Sequence, residues 1–395
     1  MRIGLLTTSF PRHAGDVAGA FVLDYARSLT ARGHAVEVLA PEPLDRPEPL
    51  HAANITVNWV PYVRPRGLAR AFHGAGFPDN AMRSPFAWLG AAFPAAAVIR
   101  GRTQRDRWDA VVSHWAFPMA FAGRALAGHR PHLTVFHSSE LTALERSPAP
   151  RALARAVFHS ASTFQFVSEH LAERFAALLP PALAPNLRGR SFVQPMPVPA
   201  LLPVERETAR ANLGLDRPTV LSMGRLVPMK RIDLLLRAAA ALGPAPVDVL
   251  VAGDGPEREA LERLANELGV SARFVGVLRG DAKRDALAAA DAFVSLSTTA
   301  EEGRTEGQSV TLLEAVGAGL PVVTTDAGGV RDLFWHGGHL SVVDPTVADV
   351  ARAIRLALSA RVTRDAAHAA SARTNAAYGF DAHGAAVEAR LHAAP

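Results

Sequence analysis

The sequence predicts an α/β protein built as two doubly wound domains, each around a parallel sheet. Its 395 residues exceed what one core ordinarily organises, and two domains of about 150–200 residues fit that length. Short strand-like apolar runs alternate with stretches of helical period, first through residues 1 to about 195 and again from Arg217. Between the two series, Pro195, Pro197, Pro199 and Pro203 crowd an interval that cannot hold regular structure. The expected boundaries are therefore 1–198 for the first domain, 199–375 for the second, and 376–395 for a closing helical segment.

Composition narrows the class. Apolar residues make up 49% with no low-complexity tract, as in a globular protein. The longest apolar run, Pro85 to Ile99, is 15 residues and carries Pro94, too short and too broken to span a bilayer. Met1 to Leu6 reads as a first strand, since no small-residue cleavage site follows a hydrophobic core. There are no cysteines, so disulfides and thiolate metal sites are excluded and the cytoplasm is the expected compartment. The net charge of +5 rests almost entirely on arginine, a coding bias that makes no case for nucleic acid. Only Lys230 and Lys283 are lysines, and in so arginine-rich a chain a lysine at a chemically special position draws attention to that position.

In the first domain, Arg2–Thr7 is the opening strand, a loop runs through Gly19, and Ala20–Arg32 is an amphipathic helix closed by Gly33 before the strand His34–Leu39. Ligands of such sheets collect beyond the carboxyl ends of the strands, where the loop from Ser9 to Gly19 lies. Gly19 there is either a point of close backbone approach to a ligand or a plain helix-start glycine. Arg64, Arg66, Arg70, Arg83, Arg100, Arg102, Arg105 and Arg107 are interleaved with Phe72, Phe77, Phe86, Trp88 and Phe93. This is either a membrane-surface patch for a lipid-linked acceptor or an ordinary helical cover with a solvated arginine face. His114 and His137 each follow a predicted strand end, after Asp109–Ser113 and Leu133–Phe136, and Val157–Leu179 reads as helix, strand and helix.

The second domain opens with the strand Arg217–Ser222, and the stretch from Gly224 to Asp233 leads into an apolar helix over 234–242. Gly224 permits a tight exit from the strand, and Arg225 and Lys230 sit on the loop that opens the helix. An arginine fork, a lysine and a helix N-terminus are the groups that can meet the negative charge of a phosphate. The strand Val247–Val251, the turn Gly253-Asp254-Gly255-Pro256, a helix over Glu257–Leu268 and the strand Arg273–Val277 follow. Ala292–Leu296 is the next strand; a polar loop then enters a helix near Ser309, stopped by Gly317 and Gly319 before the strand Leu320–Thr324. Glu306 lies in that loop and Glu314 about one turn inside the helix, so both can face one ligand; read in isolation, they complement the helix dipole and a solvated face. No Asp-x-Asp metal motif occurs, and no metal site is expected.

Glu306-x7-Glu314, with Ala315-x2-Ala318-Gly319-x-Pro321-Val322-Val323 behind it, resembles the signature of the GT-B glycosyltransferases of family 4, retaining enzymes that use nucleotide-sugars. Gly224-Arg225-x4-Lys230-x2-Asp233 resembles the same family's phosphate-binding stretch, with Arg231 where a glycine is frequent. The resemblance implies a GT-B fold, two Rossmann-like domains facing each other across a cleft, whose closure excludes water, and a final helix over Phe380–His392 that crosses back to the first domain. It implies that Glu306 lies by the donor sugar and stabilises its developing positive charge. Glu314 would hydrogen-bond the ribose hydroxyls, Arg225 and Lys230 would hold the diphosphate, the backbone at Val277 would cup the base, and Gly224, Gly307 and Gly19 would line the donor. His137 would contact the transferred sugar or phosphate, although Ser138 and Glu140 stand where the family has glycine and aspartate.

The co-substrate implied is a UDP- or GDP-sugar without further cofactor, and the partner a hydroxyl acceptor; a lipid-linked acceptor would bring peripheral contact at the inner face of a membrane. A sugar-nucleotide epimerase or a phosphorylase on the same fold is a second reading, though Lys283 on a polar helix start is poorly placed for pyridoxal phosphate. A catalytically silent sugar-nucleotide-binding subunit of a polysaccharide assembly complex is a third. A dehydrogenase is disfavoured because no Gly-x-Gly-x-x-Gly turn follows the first strand.

Overall fold

Two parallel sheets organise the chain in the computed structural model, which describes all residues except 14, 46, 49–51, 73–76, 78, 79, 81–83, 200–203, 244–246, 301–304, 337–339, 361–363, 394 and 395. Arg83 and Pro203 lie outside the described residues. Contacts group the chain into one unit of Met1–Pro197 with Tyr378–Pro395 and a second of Val198–Ala377.

The first unit holds seven strands: β1 (Arg2–Leu6), β2 (Ala35–Pro41), β3 (Ile55–Val60), β4 (Ala110–His114), β5 (His132–Phe136), β6 (Thr163–Phe166) and β7 (Ser191–Val193). Their order is β3-β2-β1-β4-β5-β6-β7, every pairing parallel. Sheets covered by helices on both faces bury both sides of their strands, which is why β4 and β5 are buried at every position and read as near-continuous apolar runs. The helix Phe380–Ala393 packs against the helix Ala20–Ala31. A methyl added at Gly384 would lie 2.3 Å from the Ser28 carbonyl oxygen, so only glycine admits that approach. Arg32 bridges the same two helices through Asp381 at 3.0 Å and Glu388 at 2.9 Å.

The second unit holds β8 (Thr219–Met223), β9 (Asp248–Ala252), β10 (Ala272–Gly276), β11 (Ala292–Ser295), β12 (Val322–Thr325) and β13 (Leu340–Val343), in the order β10-β9-β8-β11-β12-β13, again all parallel. Its core joins Leu234, Leu235 and Leu236 to Val249, Val251, Val294 and Ile354. In each sheet the strand order reverses once, between β1 and β4 and between β8 and β11. Loops leaving the carboxyl ends of those strands diverge and open a crevice, the place where such sheets bind ligands. Among the described residues, no helix is long and apolar enough to cross a membrane.

Candidate active site

At the switch point of the second unit, the loop after β8 is held by backbone contacts that only glycine permits. Gly224 N–H donates to Ala252 at 2.9 Å, Leu226 N–H donates to Asp254 at 2.9 Å, and Gly253 N–H donates to Gly276 at 2.7 Å. Gly253 adopts φ +153°, and a Cβ there would fall 1.8 Å from the Gly224 carbonyl oxygen. The turn Gly253-Asp254-Gly255 thus fixes the path of the loop after β8 from behind. On the other side, Thr298 N–H donates to Met229 at 2.9 Å, tying the β11 loop to the β8 loop, and the Thr311 hydroxyl, on the helix Val310–Gly317, donates to Met223 at the end of β8 at 3.3 Å.

This lacing brings Lys230 to Glu306. Their side chains form an ion pair and each is only 16% exposed. Glu314 sits on the helix Val310–Gly317, whose N-terminus is capped by the Ser309 hydroxyl accepting from Leu312 N–H. That helix is buried at every position from Leu312 to Gly317, so the solvated-face reading of Glu314 is corrected: the helix is wrapped by protein, and Glu314 is 1% exposed. Its carboxylate accepts from Lys283 Nζ at 2.5 Å. The chain's two lysines therefore pair with the two glutamates of Glu306-x7-Glu314, one each. Lys283 is the residue that sequence reasoning passed over. Its scarcity in an arginine-rich chain was the available signal.

The other candidates surround this pair of pairs. Gly224 adopts φ +155° with Lys230 Cε as the nearest contact a Cβ would make, at 3.4 Å. Arg225 is exposed on the loop, Gly307 is buried beside Glu306, and Val277 is 39% exposed just past Gly276 at φ +70°. Arg231, in place of the frequent glycine, retains the left-handed conformation at φ 49° and bonds Asp233 through Nε at 3.1 Å.

In the first unit, Gly19 closes the loop after β1 and His137 follows β5, beside His114 at the end of β4. Gly19 adopts φ +68° at the start of its helix, and a Cβ there would fall 2.4 Å from the Ser9 carbonyl oxygen; loop packing and conformation both demand glycine. His137 Nε2 lies 3.0 Å from His114 Nδ1 with the rings stacked, and Trp115 and Phe21 pack on His137 with centroids 4.7 and 5.4 Å away. Burial holds both histidines below their ordinary pKa, that of His114 depressed further by its neighbours, so both are neutral near pH 7. Beyond β1, Thr8, Ser9, Arg12, Glu42, Trp59 and Phe72 line a cavity whose Arg12 is fixed by Asp16 at 2.5 Å.

The departures at 138 and 140 have a physical reading. Glu140 is buried and its carboxylate accepts from His137 N–H at 2.6 Å and Ser138 N–H at 3.1 Å, capping the turn that aspartate would cap. Burial pushes its pKa up to about 7, against the pull of those backbone N–H groups. Ser138 is held at φ 129° and ψ −54°, a region that favours glycine. Ser138→Gly is therefore expected to stabilise the protein by about 1 kcal/mol, read as a rise in urea midpoint at constant slope.

Comparison with known proteins bears on the family and the fold. Residues 204–375 match the family model described as Glycosyl transferases group 1, and residues 18–186 match the Glycosyl transferase 4-like domain. A GDP-mannose-dependent alpha-(1-6)-phosphatidylinositol monomannoside mannosyltransferase of Mycobacterium tuberculosis is 28% identical over 372 residues, covering 88% of this chain and 86% of that protein. The putative teichuronic acid biosynthesis glycosyltransferase TuaC of Bacillus subtilis is 28% identical over 377 residues, covering 90% and 88%. Among solved structures, Anabaena HepE in complex with UDP and glucose superposes with a TM-score of 0.70 at 19% identity, covering 100% of both chains. WaaG, a glycosyltransferase involved in lipopolysaccharide biosynthesis, superposes with a TM-score of 0.62 at 19% identity, covering 99% and 98%. At these identities the structural likeness is one of fold.

Proposed function

The chain belongs to the group 1, family 4 glycosyltransferases of the GT-B fold, and from that premise we propose that it is a retaining, metal-independent transferase moving a sugar from a nucleoside diphosphate to a hydroxyl acceptor. The observation that carries this reading is the Lys230–Glu306 pair at the switch point of the second unit. An ammonium has three N–H donors, so Lys230 can hold Glu306 and still meet a phosphate oxygen, with Arg225 supplying a second cation. As the bond from the sugar to the diphosphate breaks, its electrons pass to the phosphate oxygen that these two cations face. The acceptor hydroxyl attacks on the same face, its proton passing to the departing phosphate, while Glu306 stabilises the positive charge on the ring. Glu314 accepts from the ribose hydroxyls, Val277 borders the base, and His137 contacts the transferred sugar.

The M. tuberculosis relative's name makes GDP-mannose the first donor to test; the UDP-bound HepE keeps UDP-sugars beside it. A thermal-shift panel of UDP, GDP, ADP, CMP and NAD decides the class. A ligand at 100 times its dissociation constant adds about 2.7 kcal/mol of apparent stability. A shift with one nucleoside diphosphate is expected, unchanged by EDTA; a shift with NAD alone would refute the reading.

A second observation supports an acceptor carried on a membrane surface. Phe86, Trp88, Leu89 and Ile99 are 57%, 62%, 38% and 69% exposed along Pro85–Gly101, while Ala87, Phe93 and Ala97 bury the other side. From Arg64 to Arg105 the sequence contains a single acidic residue, Asp79. An apolar ridge in a basic field suits an anionic bilayer. Trp88→Ser with Ile99→Ser is expected to abolish cosedimentation with phosphatidylglycerol vesicles and to spare the nucleotide shift.

A further inference from the structure

Glu314 is nearly enclosed, its side chain 2% exposed, and a carboxylate so placed needs a cationic partner. One such partner is Lys283, 26% exposed, on the helix Gly280–Ala289 that follows the loop carrying Val277. Of the chain's 42 lysines and arginines, two are lysines, so a lysine here runs against the strong arginine usage of the rest. The two cations differ in what they do to a carboxylate. A guanidinium fork takes both oxygens in parallel hydrogen bonds, whereas an ammonium is a point charge that binds one. Lys283 Nζ lies 2.5 Å from Oε1 of Glu314.

Building on the role of Glu314 proposed above, we infer that Lys283 is a positioning residue of the donor site: by engaging Oε1 alone it orients the Glu314 carboxylate as acceptor for the ribose hydroxyls and so sets the preference for a ribonucleotide. Lysine serves where arginine would compete with the ribose for the same oxygens. The pairing also ties the helix after the base-side loop to the helix bearing the ribose-side glutamate, so base and ribose contacts share one support.

The test is ribose discrimination, which a merely structural ion pair would not govern. Dissociation constants are measured for GDP against 2′-deoxy-GDP and for UDP against 2′-deoxy-UDP, on the wild type, Lys283→Arg and Lys283→Met. The wild type is expected to prefer the ribonucleotide about tenfold, the worth of one hydrogen bond to a charged acceptor. In Lys283→Arg, which keeps the charge and should keep the fold, the preference is expected to fall to within about twofold, with the deoxynucleotide affinity little changed. Lys283→Met is expected to lose the preference as well. A Lys283→Arg protein with undiminished preference would overturn the inference. A wild type with no preference would instead overturn the assignment of Glu314 to the ribose, so the two failures are distinguishable.

Discussion

Lys230→Ala is expected to abolish the thermal shift given by nucleoside diphosphate and, independently, to destabilise the second unit by about 3 kcal/mol. The second effect follows from burial. Both members of the Lys230–Glu306 pair are only 16% exposed, and removing one partner of a buried pair leaves the other charged and uncompensated. Glu306→Gln should show the same kind of loss in stability, together with a fall in turnover larger than the fall in donor affinity. The double variant Lys230→Ala with Glu306→Gln separates the two roles. It removes both charges, so much of the stability is expected to return while transfer stays abolished. Urea denaturation of the four proteins gives the coupling energy of the pair, and titration with UDP and GDP gives the binding effect. A Lys230→Ala protein that binds nucleoside diphosphate as tightly as the wild type would remove Lys230 from the proposed site.

That pair also marks where the sequence could be read and where it could not. Strands buried on both faces announce themselves as runs such as Ala110-Val111-Val112 and Leu133-Thr134-Val135, so β4 and β5 were legible almost to the residue. β7, three residues at a sheet edge, and β3, with only Val60 buried, lacked that signal. The spacing Glu306-x7-Glu314 was legible as a motif, and the helix start near Ser309 with it. Which cation meets which glutamate was not, because Lys283 reaches Glu314 from a helix 31 residues earlier in the chain and no local period encodes that approach. Departures from pattern were informative once their conformations were known. Arg231 and Ser138 occupy the positive-φ backbone that glycine would have served, so the loop shape persists although the residue does not.

Acidification is expected to unfold the first unit well before carboxylate protonation would. His114, His132, His137 and His383 are all neutral in the native interior: burial lowers His132 to about 4, His137 and His383 to about 3, and His114 well below its ordinary value. In the unfolded chain each takes up a proton near pH 6.5. Below that pH the unfolded state binds protons that the native state refuses, so stability falls as pH falls. Glu140 acts in the opposite sense. Its native value of about 7 stands above its unfolded value, so the native state binds the extra proton and gains stability as pH drops from 7. Four histidines against one glutamate leave a net of about three protons, or about 4 kcal/mol per pH unit near pH 5.5. A typical stability of about 5–15 kcal/mol would be exhausted within a few pH units. Four of the five tryptophans lie in this unit, so fluorescence-detected urea midpoints at pH 7.5, 6.5 and 5.5 report on it directly. His383 also docks the last helix, through Ser28 Oγ at 2.9 Å and an edge contact with Tyr25, so that helix should be released as its histidine is protonated. His383→Gln, which can keep a hydrogen bond to Ser28 but cannot titrate, is expected to flatten the slope by about 1.4 kcal/mol per pH unit. Midpoints that stay constant from pH 7.5 to 5.5 would show that these histidines are solvated and would overturn the packing of His137 against His114.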